Sequence, residues 1–126
     1  MSDEVRDDLK YTKTHEWVEV KGDTVVIGIT DHAQSELTDI VFAELPEEGK
    51  EISKDDELCV VESVKSVSEI YAPVSGKITK VNEELEDTPE IINENPYEDG
   101  WLVEIELTNK DELKDLLDAE AYKKLL

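Results

Sequence analysis

Apolar and polar residues alternate with a period of two through much of the middle of the chain, the pattern of half-buried strands. Trp17-Val18-Glu19-Val20-Lys21, a Gly22-Asp23 turn and Thr24-Val25-Val26-Ile27-Gly28-Ile29 together predict a hairpin. From Asp31 to Thr38 the spacing becomes helical, with Asp31 as cap and Ala33 and Leu37 on one face. Strand signals return at 39–45, stop at Pro46 with Gly49 close behind, and resume over 57–62, 66–71, 76–81 and 101–107. Near the end, Asn109 and Glu112 approximate a capping box, and Leu113, Leu116 and Leu117 repeat at helical spacing, which predicts a terminal helix packed on the sheet. The segment from Asn82 to Gly100 is rich in Glu, Asn and Pro and reads as a surface excursion ordered by Ile91 and Ile92.

Many short strands with frequent turns predict a mainly β fold, an antiparallel sandwich or flattened barrel, with a short helix near 31–38 and a C-terminal helix. The length of 126 residues suits one domain over 1–126, with its core at about 11–108 and a helical segment at about 109–126. A weak internal echo, Gly49-Lys50-Glu51-Ile52 against Gly76-Lys77-Ile78, suggests two related half-motifs around a central hairpin.

Composition narrows the partners. Acidic residues outnumber basic ones, 34 to 13, for a net charge of −21. A polyanionic partner, whether nucleic acid or anionic membrane, is repelled by such a surface, whereas basic patches on a protein partner are attracted to it. No apolar run approaches the roughly 20 residues of a spanning helix. The single cysteine, Cys59, cannot form an internal disulfide or a thiolate metal cluster, so a reducing compartment is expected. The first ten residues are acidic with one arginine, Arg6, unlike a secretory signal or an Arg-rich transit peptide.

The stretch from Leu58 to Pro73 is too long for one strand and predicts a reversal at Val64-Lys65. Neither residue is a good turn former, and a broken local rule invites a functional explanation. A lysine there projects its ammonium into water at the end of a stiff hairpin, flanked by Ser63 and Ser66, within reach of a modifying enzyme. Elsewhere the chemistry is sparse. His15 and His32 have no Cys or third His to complete a metal set and read as structural or surface residues; no metal site is expected. Cys59, between Leu58 and Val60, reads as a buried thiol, and Trp17 and Trp101 as packing anchors that begin strands. The run Glu83-Glu84-Leu85-Glu86-Asp87 lacks a calcium-loop pattern and reads as a solvated face.

Glu62-Ser63-Val64-Lys65 resembles the lipoyl-attachment motif of the glycine cleavage system H proteins, and Gly49 and Gly76 stand 16 residues before and 11 after the lysine, as in that family. Further similar blocks follow in family order from about Tyr11 to Tyr122. They include His15-Glu16-Trp17-Val18, Gly28-Ile29-Thr30-Asp31-His32-Ala33, Asp39-Ile40-Val41, Leu45-Pro46, Ala72-Pro73-Val74-Ser75-Gly76, Asn93, Asn95-Pro96-Tyr97 and Gly100-Trp101-Leu102. Ser66 stands where the family often has alanine, and Leu37-Thr38-Asp39 replaces the commoner Leu-Gly-Asp. Biotinyl domains, which usually flank the lysine with methionines, and lipoyl domains of 2-oxo acid dehydrogenases, which usually show Asp-Lys-Ala, match less well.

The resemblance implies a lipoyl-domain-like hybrid fold and a monomeric carrier rather than an enzyme. Lipoic acid is expected as an amide on Lys65, carrying an aminomethyl group from glycine decarboxylase (P protein) to the aminomethyltransferase (T protein), with reoxidation by dihydrolipoamide dehydrogenase (L protein). A lipoate ligase or lipoyl transferase is implied as the modifying partner. Glu16 resembles the family glutamate near the loaded arm, and Thr14, His15, Glu36 and Glu69 are lesser candidates for the same pocket. A prokaryotic cytoplasm is expected, or the mitochondrial matrix for a processed eukaryotic chain. A lipoyl donor or relay for other lipoate-dependent enzymes, and a biotinyl-type carrier, are the alternatives.

Overall fold

The alternating segments do form strands. In a computed structural model describing residues 4–126 they are β1 (Lys10–Tyr11), β2 (Glu16–Lys21), β3 (Thr24–Ile29), β4 (Ile40–Glu44), β5 (Glu51–Ile52), β6 (Glu57–Ser63), β7 (Val67–Tyr71), β8 (Gly76–Val81) and β9 (Val103–Leu107). Residues 1–3, included in the expected domain of 1–126, lie outside the described residues. One sheet has the order β1-β2-β3-β9-β8-β5 and the other β4-β6-β7, with all neighbours antiparallel. The two sheets remain separate, so the arrangement is an antiparallel sandwich and not a closed barrel.

Alternation decides what each face buries. Val18, Val25, Ile27, Ile78, Val103 and Ile105 from the larger sheet meet Ile40, Ala43, Val61 and Ile70 from the smaller one in the main core. The opposite side of the larger sheet is covered near β1–β3 by a second cluster containing Leu9, Tyr11, Trp17, Val26, Tyr97, Ala119 and Tyr122. Tyr11 and Tyr122 stack there with ring centroids 4.5 Å apart. Trp17 is the expected anchor, its Nε1–H donating to the Pro96 carbonyl at 2.8 Å; Trp101 is only half-buried and precedes β9 rather than beginning it.

The echoing segments meet. β5 pairs with β8 so that Glu51 faces Lys77 and Ile52 faces Gly76. A Cβ at Gly76 would lie 2.2 Å from the Glu106 carbonyl oxygen, so the close approach of β9 requires glycine.

Helical pieces fill the connections. α1 (Asp31–Leu37) is capped by Thr30, whose side chain accepts from the Ala33 N–H, and not by Asp31. The Asp31 carboxylate accepts instead from the Glu4 N–H and the Gln34 side chain, both at 2.8 Å. The excursion contains α2 (Glu84–Asp87) and α3 (Ile91–Glu94). Ile92 is fully buried and Ile91 partly so, but Leu85, in the middle of the acidic run, is a third anchor and is also fully buried.

The C-terminal helical segment is divided into a 3₁₀ turn (Lys110–Asp115) and α4 (Ala119–Lys123). Tertiary bonds explain the break. Glu112 does not close a capping box; its carboxylate accepts from the Ser75 N–H at 2.7 Å and from Ser75 Oγ at 2.9 Å. Leu117 pairs with Tyr11 by two backbone bonds of 2.7 and 2.8 Å, which require extended chain where the periodicity predicted helix. Asp118 then caps α4. Among the described residues, no helix is long and apolar enough to cross a membrane.

Candidate functional site

The reversal at Val64-Lys65 is a three-residue loop, Val64 to Ser66, between β6 and β7. Ser63 resolves the apparent violation of turn chemistry. Its N–H donates to the Ser66 carbonyl at 2.8 Å, while its Oγ accepts from the N–H groups of Lys65 and Ser66 at 3.3 and 3.1 Å. A hydroxyl thus supplies the bonding that a glycine-type turn would otherwise provide. Neither Val64 nor Lys65 takes a positive φ. The Val64 N–H also donates to the Asp39 carbonyl at 3.0 Å, tying the loop to the entrance of β4. Lys65 is exposed at this pinned tip.

β7 runs from the tip along a cleft of about 370 Å³. Ile29, Ala33, Leu37 and Ile70 supply its apolar wall, and Thr14, His15, His32, Glu36 and Ser68 its polar one. The histidine rings lie 4.7 Å apart. His15 Nδ1 is 2.8 Å from the Tyr122 hydroxyl, which is 2.7 Å from Thr30 Oγ1, so α4 helps hold the cleft floor. Among the described residues no His, Cys, Asp and Glu cluster suits a metal ion.

Glu16 lies next door rather than in this cleft. It is 2% exposed and borders a smaller cavity of about 200 Å³ whose lining includes Thr12, Thr14, Lys54, Tyr71 and Asp115. Its Oε1 accepts from the hydroxyls of Thr12 and Thr14, each at 2.5 Å. Loss of water pushes its carboxyl above the usual range, opposed by the two threonines and the Tyr71 backbone N–H. The turn that achieves this needs His15 at φ 70°, a region histidine enters more readily than most residues.

Of the sequence candidates, Thr14 borders both cavities, and His15 and Glu36 line the larger one. Glu69 lines neither. It projects from the other face of β7, where its carboxylate accepts from the Tyr71 hydroxyl at 3.0 Å. Burial pushes the Cys59 thiol far above its usual range, so it offers no thiolate. Thr12, Ser68, Ile70 and Tyr122 were not legible as site residues. Thr12 at four residues before Glu16 is the one detectable signal, since a hydroxyl on that side of a tight turn can return to a buried carboxylate.

Comparisons with known proteins bear on this arrangement. Residues 9–126 match the family model described as glycine cleavage H-protein. A glycine cleavage system H protein of Staphylococcus haemolyticus (strain JCSC1435) is 58% identical over 122 residues, covering 97% of either chain. That of Staphylococcus carnosus (strain TM300) is 56% identical with the same coverage. The crystal structure of a glycine cleavage system H protein from Mycobacterium marinum superposes with a TM-score of 0.86 at 38% identity, covering 95% of this chain and 97% of that one.

Proposed function

Because the chain belongs to the glycine cleavage H-protein family, we propose that it is a lipoylated carrier of glycine cleavage, a single domain over 1–126 with its arm on Lys65. The observation that carries this reading is an exposed lysine on a loop pinned by Ser63 and Asp39, beside a cleft with an apolar wall.

The residues fit the group. The Lys65 amine is accessible to acylation, which removes its charge and lets the extended chain lie against apolar surface. Ile29, Ala33, Leu37 and Ile70 would hold the hydrocarbon part, with Ser68, His15 and Glu36 at the cleft's polar side. When bound, lipoamide would supply a disulfide that is reduced on taking up an aminomethyl group, becomes a dithiol once that group passes to the aminomethyltransferase, and is restored by two-electron oxidation by the flavin dehydrogenase. The protein's own contribution is to shelter and orient. Glu16, held by two hydroxyls, sets a negative charge beneath Thr14, where it favours an amine that stays protonated and attached.

Glycine decarboxylase, aminomethyltransferase and dihydrolipoamide dehydrogenase are the partners on this reading, and a lipoate ligase or lipoyl transferase loads the chain. The protein is then a carrier and not itself an enzyme. The staphylococcal relatives support a bacterial cytoplasm as its setting. The test is intact mass after incubation with lipoate ligase, lipoate and ATP, followed by glycine turnover with the three partner enzymes. A lipoyl-sized gain that Lys65→Arg abolishes, together with loss of turnover, is expected. Undiminished turnover by Lys65→Arg refutes the assignment.

A further inference from the structure

The outer face of the β4-β6-β7 sheet is uncovered, and its composition is unusual for a surface in water. Eight large hydrophobic residues are exposed among those described, and five of them, Val41, Phe42, Val64, Val67 and Tyr71, belong to this face or its tip. The chain's only phenylalanine is among them. Val64 is 66% exposed, Val67 60% and Val41 54%. The register arranges them in rows: Phe42 beside Glu62 beside Val67, then Glu44 beside Val60 beside Glu69. Apolar side chains therefore alternate with carboxylates, and Lys65 stands at the end of the patch.

We propose that this face is the docking surface for the enzyme that acylates Lys65, a partner presenting an apolar concavity bordered by lysine and arginine. The inference rests on the carrier reading above. Two physical points select this occupant. The exposed valines and phenylalanine gain by leaving water, and Glu44, Glu62 and Glu69 call for a basic rim. Reach supplies the second point: a lysine stem is only four carbons long, so an acylating active site must come down onto the hairpin and cover the sheet beside it. An enzyme that meets the far end of an attached arm has no such requirement. A moderate apolar centre within an acidic border also suits an encounter that must release its product quickly.

The experiment uses the full chain in unmodified form with a bacterial lipoate ligase, lipoate and ATP, following initial acylation rates by intact mass over a range of chain concentrations. Phe42→Ser combined with Val67→Ser is expected to lower kcat/KM about tenfold or more, mainly through KM. Val20→Ser, at an exposed apolar site on the larger sheet, is expected to leave the rate within about twofold. Circular dichroism checks folding, and Val41→Lys, which opposes a basic rim with like charge and lies outside the attachment motif, provides a second variant with the same expected loss. Acylation of these variants at the wild-type rate overturns the docking proposal while leaving Lys65 as the target. Absence of any mass gain in the wild type overturns the carrier reading itself. A wild-type dimer in sedimentation that Phe42→Ser converts to monomer assigns the face to a second copy and likewise overturns the proposal.

Discussion

The two sheets share one core but treat their outer faces in opposite ways. The larger sheet buries both sides around β1–β3, where Tyr11, Trp17, Tyr97 and Tyr122 cover the strands that the main core does not. The smaller sheet buries only its inner side and leaves Phe42 and Val67 in water. Most of the aromatic area stabilises the first sheet, and apolar area without a folding role collects around Lys65 on the second. The contrast separates a sheet that supports the fold on both faces from one that leaves an apolar patch in water, and an uncovered apolar patch is more informative than a buried one.

Truncation in the larger sheet should produce the largest effect. Ile105 is fully buried in the middle of β9, and Ile105→Ala is expected to destabilise the fold by about 2–5 kcal/mol in urea denaturation. A loss below about 1 kcal/mol would contradict the view of this sheet as the support.

A smaller gain is available where the chain enters the second sheet. Thr38 adopts φ 67° and ψ −147°, a conformation natural to glycine, at the position where the resembled family usually has glycine. Thr38→Gly is expected to raise stability by about 1 kcal/mol, the relief of strain exceeding the added chain entropy. A lower melting temperature for this variant would show that the Thr38 side chain contributes more than its backbone costs.

Glu16 links the two sheets, since it lies on β2 and accepts from the Tyr71 N–H of β7. Its carboxyl titrates above the ordinary range because burial disfavours the charged form. The folded protein therefore holds this proton more tightly than the unfolded chain. Its contribution is greatest below the unfolded pKa and declines as pH rises through the raised folded value. Denaturation of wild type and Glu16→Gln across that window should show the wild type losing stability relative to the variant as pH increases. A difference independent of pH would place Glu16 in contact with water.

The smallest effect is expected on the exposed face. Val67→Ser should change stability by no more than about 0.5 kcal/mol, even though the docking proposal expects the same site to lower the acylation rate. A loss comparable with that of Ile105→Ala would abolish the distinction between support and display.

Strands of five or more residues, the hairpin turn at Gly22 and the reversal at Lys65 were legible because alternation and turn residues are local signals. β1 and β5, with two residues each, carry no period to read. Their existence depends on partners, β2 for one and β8 for the other. Leu85 was hidden by the acids around it, and among 34 acidic residues Glu16 carried only one local sign of burial, the Thr12 hydroxyl four residues earlier.

Residue order alone was enough to determine a mainly antiparallel β protein, an acidic surface and a lysine at the head of a hairpin, since these depend on periodicity, charge count and chain reversal. Tertiary structure decided that Glu112 bonds to Ser75 instead of closing a helix, that Leu117 is extended against Tyr11, and that Glu16 is buried. Each is a competition between a local preference and a bond to a residue distant in sequence. Such contests are settled only when packing brings the distant donor or acceptor within hydrogen-bonding range.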